Sequence, residues 1–131
     1  MTKLIQYEEA GPEVRAVYDA IKAARNVPDV NNFWKAIAVH PPTLRRTWES
    51  LSEVMGRGSL DPLTKEMLYL AVSAMNGCAY CIASHTAAAR ARGMTEAMRG
   101  ALLAIVAMAA ETNRLAEAHA VPIDQAFLDQ D

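Results

Sequence analysis

Four residues of this chain have types and spacings that can do chemistry together. Cys78 and Cys81 are its only cysteines, His85 follows four residues after the second, and Glu66 precedes the first by twelve. On a helix, two cysteines three positions apart lie one turn from each other on the same side, close enough to join as a disulfide with modest adjustment. His85 lies one turn further on, which brings an imidazole within reach of the Cys81 sulfur. The pair also follows Asn76-Gly77, a break that starts a helix near Cys78. In a first turn, unpaired amide groups and the helix dipole favour the thiolate, which is the form of cysteine that attacks.

The same residues admit two other readings. Cys78, Cys81 and His85 can be three zinc ligands, completed by Glu66, His40 or His119. A structural zinc site needs four ligands, and the chain has no second CxxC and no paired-histidine motif to supply them. Alternatively, the cysteines are two small core residues beside a satisfied histidine. The conjunction of spacing with a helix start puts redox chemistry ahead of both.

These residues have to be positioned by helices. The chain has 25 alanines, no window alternates with period two, and Gly and Pro cluster at a few breaks. Alanine has the best helix propensity, so the composition predicts an all-α protein, a single-domain bundle of about six helices over residues 1–131. Gly11-Pro12 opens a helix to about Arg25, with Val14, Val17, Tyr18 and Ile21 on one face. A short helix from about Asn32 to Val39 stops at His40, because proline disfavours helical geometry in the residue before it. The next runs from about Pro42 to Met55, ending at Gly56 and Gly58. Asp61-Pro62 is a cap and start signal for a helix to about Met75, which carries Glu66. The cysteine helix runs from near Cys78 to Arg92 and stops at Gly93, and Thr95 caps a last helix to about His119. Phe33, Trp34 and Trp48 are expected in the core, and Ser73 is placed to order a water near Glu66.

Charge and hydropathy narrow the partners. Thirteen basic against fifteen acidic residues give a formal charge of −2, and no basic stripe marks a nucleic-acid surface. The N-terminal MTKLIQYEEAGPE turns acidic before any apolar stretch, so no secretory signal is expected. The run ALLAIVAMAA at 101–110 is about half the length of a membrane span. A soluble, cytoplasmic protein is the expectation, and in a reducing compartment a cysteine pair suits catalysis or metal binding better than a structural disulfide. The same run is apolar on every face, more than one neighbouring helix covers, which predicts a homo-oligomer.

The order Glu66, Cys78, Cys81, His85 within EMLYLAVSAMNGCAYCIASH resembles the AhpD-like alkylhydroperoxidase branch of the carboxymuconolactone decarboxylase superfamily. A looser likeness extends over NNFWKAIAVHPPTL before it and TNRLAEAHAVP after it. The resemblance implies an all-helical oligomer, a trimer or hexamer, that reduces a small hydroperoxide with two cysteines and neither metal nor flavin. It further implies an external dithiol or thiol protein as reductant. By position, Cys81 resembles the peroxidatic cysteine, Cys78 the resolving one, and His85 with Glu66 the proton relay. The dipole alone favours the more N-terminal Cys78, but a base beside Cys81 outweighs a dipole worth ~0.3–1 kcal/mol. One position departs from the pattern: a histidine can stand directly before the second cysteine, and here that residue is Tyr80, which cannot act as a base near neutral pH.

The expected function is therefore a cofactor-free thiol peroxidase working through a CxxC dithiol/disulfide cycle. A thiol–disulfide oxidoreductase and a redox-sensing helical oligomer use the same pair. The lactone decarboxylation that names the superfamily has no need of a dithiol.

Overall fold

The computed structural model describes residues 1–128, and among these it contains helices and no strand. The helices are α1 (Pro12–Arg25), α2 (Asn32–Ile37), α3 (Pro41–Met55), α4 (Pro62–Met75), α5 (Ala79–Ala91), α6 (Glu96–Ala118) and α7 (Gln125–Leu128). The first six follow the cap and break signals of the sequence. A 3₁₀ turn at Tyr7–Glu9 and the four-residue α7 were not anticipated; both are shorter than any pattern a hydrophobic period can reveal. The chain divides into two compact units, which meet at Arg57 and Gly58.

In the first unit α1 and α2 pack on α3. Val14, Val17, Tyr18 and Ile21 of α1 form the buried stripe, with Trp34 of α2 and Leu44 of α3 against it. Trp34 meets Trp48 edge-on with ring centroids 5.6 Å apart. The aromatic expectation holds for Trp34, and Trp48 is half-buried, but Phe33 is 38 % exposed. On a helix as short as α2 only one face reaches the core, and Trp34 occupies it. The chain instead buries Lys35, whose Nζ donates to Gln6 Oε1 at 2.9 Å and pairs with Asp29 Oδ2 at 2.6 Å. His40 does not merely end a helix: its Nδ1 accepts from the Thr43 backbone N–H, capping α3.

In the second unit α4 packs against both α5 and α6, most extensively against α5. Its core is Leu70, Ala89, Met94 and Leu102, with Met67, Ile82 and Val106 packed around them. The Asp61 carboxylate caps α4 by accepting from the Thr64 N–H at 3.0 Å, and Thr95 caps α6 in the same way through Met98. Gly77 (φ 67°) and Gly93 (φ 100°) take left-handed backbone at the two ends of α5, where a side chain would be strained. The α5 start is thus set by Gly77 and its stop by Gly93.

Candidate active site

Helix α4 buries Glu66, Leu70 and Ser73, the i, i+4, i+7 positions of one face. Glu66 is only 6 % exposed, so its carboxylate stands where an apolar side chain would otherwise complete the stripe. A buried carboxylate needs partners, and it has two on α5. His85 Nδ1 lies 2.7 Å from Glu66 Oε2, and Arg92 Nη1 lies 3.6 Å from Oε1. The Tyr69 ring, one turn beyond Glu66, stacks on His85 with centroids 3.8 Å apart and planes inclined by 21°. The imidazole is held at its edge by a carboxylate and on its face by a phenol ring. An ionised carboxylate only accepts, so Nδ1 carries the proton and Nε2 is the ring nitrogen that offers a lone pair.

The cysteines sit at the other end of α5. Cys78 is the N-cap residue (φ −80°, ψ 91°), and its sulfur accepts from the Cys81 backbone N–H at 3.3 Å. The Cys81 side chain also donates to Cys78, and these two contacts hold the Cys78 thiol below its ordinary pKa. The opposite holds for Cys81, which is pushed up by its bond to Cys78, by burial and by the neighbouring charge. Local hydrogen bonding therefore favours the first negative charge on Cys78, not on Cys81. Both cysteines are free thiols in this structure.

All four residues singled out from the sequence lie in the second unit, on the facing helices α4 and α5. Glu66 and His85 are brought into direct contact and the two cysteines into another, and the hydrogen bond His85 makes among the described residues goes to Glu66. Among those residues no three His, Cys, Asp or Glu side chains gather as a metal ion would require. His40 and His119 lie at the N-cap of α3 and the C-cap of α6. Ser73 is buried on the Glu66 face of α4, and its hydroxyl donates to the Tyr69 carbonyl at 2.7 Å. Sequence reasoning missed Tyr69 and Arg92. Both had a signal in their spacing: Tyr69 is three residues after Glu66, and Arg92 is seven after His85, positions that share a helix face.

The sequence profile of the carboxymuconolactone decarboxylase family matches residues 41–124. A protein of Azorhizobium caulinodans named alkyl hydroperoxide reductase AhpD is 36 % identical over 119 residues, covering 79 % of this chain and 62 % of its own length. A protein of the same name from Solibacter usitatus is 33 % identical over 100 residues, covering 74 % of this chain and 55 % of its own length. The chain thus spans little more than half the length of these curated relatives. A crystal structure described as an alkylhydroperoxidase AhpD core, from Rhodospirillum rubrum, superposes with a TM-score of 0.86 at 55 % identity, covering 91 % of this chain and 88 % of that one. The all-α architecture, the profile and these likenesses agree: the chain is an AhpD-like member of the carboxymuconolactone decarboxylase family.

Proposed function

We propose that the chain is a cofactor-free thiol peroxidase that reduces a hydroperoxide to an alcohol through Cys78 and Cys81, with His85 and Glu66 as proton relay. The observation that carries this reading is the Glu66–His85 contact at 2.7 Å on the same helix pair as a CxxC that starts α5. Two relatives named alkyl hydroperoxide reductase support the substrate class.

In the reduced pair hydrogen bonding from Cys81 lowers the pKa of the Cys78 thiol and raises that of Cys81. Passing the Cys81 proton to Cys78, or to His85 Nε2, yields the thiolate at Cys81. It attacks the terminal oxygen of the peroxide, the O–O bond breaks, and the departing alkoxide takes a proton to leave as alcohol. Cys81 is now a sulfenic acid. The Cys78 sulfur attacks it, expels water and closes the Cys78–Cys81 disulfide, which an external dithiol or thiol protein reopens by exchange. Residues 1–131 act in this proposal as one functional domain in a reducing compartment. No described helix is long and apolar enough to cross a membrane.

The same proposal includes a homo-oligomer, a trimer or hexamer. Leu102 of α6 faces the core while Ile105, Met108 and Leu115 are half or more exposed, as are Leu68, Val72 and Met75 of α4. A second reading, a thiol–disulfide oxidoreductase, is favoured by one observation, the Cys78 sulfur at the N-cap of α5 accepting the Cys81 N–H.

The deciding experiment is steady-state consumption of an alkyl hydroperoxide with a small dithiol as donor, following alcohol formation. Multiple turnovers that vanish in Cys81→Ser support the peroxidase. A single equivalent of oxidation without turnover fits a redox-sensing module instead, and fast disulfide exchange without peroxide turnover fits the oxidoreductase.

A further inference from the structure

The two oxygens of Glu66 go to two different side chains, and only one of those is part of the proposed relay. Arg92 is the C-cap residue of α5, and its Nη1 lies 3.6 Å from Glu66 Oε1 and 3.2 Å from the Ala88 carbonyl it donates to. The first distance is an ion pair rather than a hydrogen bond, so Arg92 acts on Glu66 through its charge. That charge has a consequence for His85. A carboxylate that is 6 % exposed requires a compensating cation. A second proton on His85 would supply that cation, but an imidazolium has no lone pair with which to take a proton from a thiol.

We propose that Arg92 is a positioning residue for the relay: it supplies the standing counter-charge for Glu66, which leaves His85 with one ring proton, on Nδ1, and a free Nε2. This rests on the relay reading of Glu66 and His85 and adds the group that keeps it poised. Arg92 keeps the site at zero net charge before the thiol loses its proton. Glu66 can then stay ionised throughout and serve the imidazolium that forms when His85 accepts that proton. Among the described residues, Tyr69 of α4 and Arg92 at the C-cap of α5 are the titratable or charged side chains in contact with the Glu66–His85 pair. Of these only Arg92 carries charge near neutral pH. Its side chain is 45 % exposed, which places the effect at the low end of the range for an opposite charge within ~4–6 Å.

The test compares Arg92→Met and Arg92→Lys with the wild type, His85→Gln and Glu66→Gln. The readouts are pH–rate profiles for peroxide oxidation and the ¹⁵N spectrum of the His85 ring. Arg92→Met is expected to lower the rate at neutral pH about tenfold, to converge on wild type in alkali, and to show both His85 nitrogens protonated near neutral pH. Arg92→Lys keeps a cation there and is expected to restore both the rate and the one-proton ring. A profile and ring spectrum for Arg92→Met that superimpose on wild type, while His85→Gln and Glu66→Gln are slow, would overturn the Arg92 role and leave the relay standing. Arg92→Lys as defective as Arg92→Met would also overturn it, since charge would then not be what matters. If His85→Gln has no effect, the relay itself fails and Arg92 with it.

Discussion

Cys78 caps the helix that carries Cys81, because its sulfur accepts the Cys81 backbone N–H at 3.3 Å while the Cys81 side chain points a second donor at it. Both contacts strengthen when Cys78 is an anion. At neutral pH Cys78 is expected to be the first site alkylated by iodoacetamide, with a rate that rises at lower pH than for a free thiol. Peptide mapping after partial alkylation checks this. A label found mainly on Cys81 would show that the cap does not govern ionisation.

Mild oxidation is expected to give an intramolecular Cys78–Cys81 disulfide, since the residues are one turn apart at a helix start. Mass spectrometry of the denatured chain should show the loss of two hydrogens from a monomer. A disulfide-linked dimer would contradict the geometry.

If His85 is the base, replacing it should slow the chemistry and spare the fold. General-base assistance is worth ~10²–10⁴-fold, so His85→Gln should lose roughly that factor in peroxide oxidation at neutral pH and recover in alkali, where hydroxide forms the thiolate unaided. Glu66→Gln should act in the same direction but more weakly, because it still hydrogen-bonds Nδ1. Superimposable pH–rate profiles would reduce both residues to packing.

In the first unit Lys35 depends on Asp29. The Lys35 ammonium holds the Asp29 carboxyl below its ordinary pKa, chiefly through their hydrogen bond. A carboxyl whose folded pKa is depressed stabilises the fold above its unfolded pKa, and that contribution disappears as pH falls through the lower folded value. The Asp29 side chain is 56 % exposed, so screening limits the effect: Asp29→Ala is expected to destabilise by about 0.5–1 kcal/mol at neutral pH, with the difference from wild type shrinking in acid. Urea unfolding at several pH values measures it, and a pH-independent difference would argue against the pairing.

The proposed oligomer would cover the exposed Ile105, Met108 and Leu115 of α6. Sedimentation should show several chains per particle, most simply three or six, and Met108→Glu should shift the distribution toward monomer. A monomeric wild type at micromolar concentration would refute the oligomer.

Much of this was legible in local chemistry. Asp61-Pro62, Thr95 and Gly93 announce helix ends through hydrogen bonds and backbone angles that depend on one or two residues, so those boundaries fall within a residue or two of the expected ones. The Glu66, Cys78, Cys81, His85 set was legible for the same reason, since fixed spacing on helices is fixed geometry. Contacts between elements were not. Nothing in the composition says that Lys35 is buried, because its partners Gln6 and Asp29 lie 29 and 6 residues away. Phe33 and Trp34 are equally apolar neighbours, and only the packing of α2 on α3 decides which one turns inward. Arg92 and Tyr69 stayed hidden because a helix face becomes a site only once the facing helix is known.

The Cys78 cap also makes the oxidation state mechanical. In the reduced chain the Cys78 sulfur pins one amide of the first turn of α5, that of Cys81. Once that sulfur is committed to a disulfide it becomes a poor acceptor, and the Cys81 amide loses its anchor. Forming and reopening that disulfide would therefore loosen and retighten the opening turn of α5, and amide exchange at Cys81 would then gauge how many molecules stand oxidised.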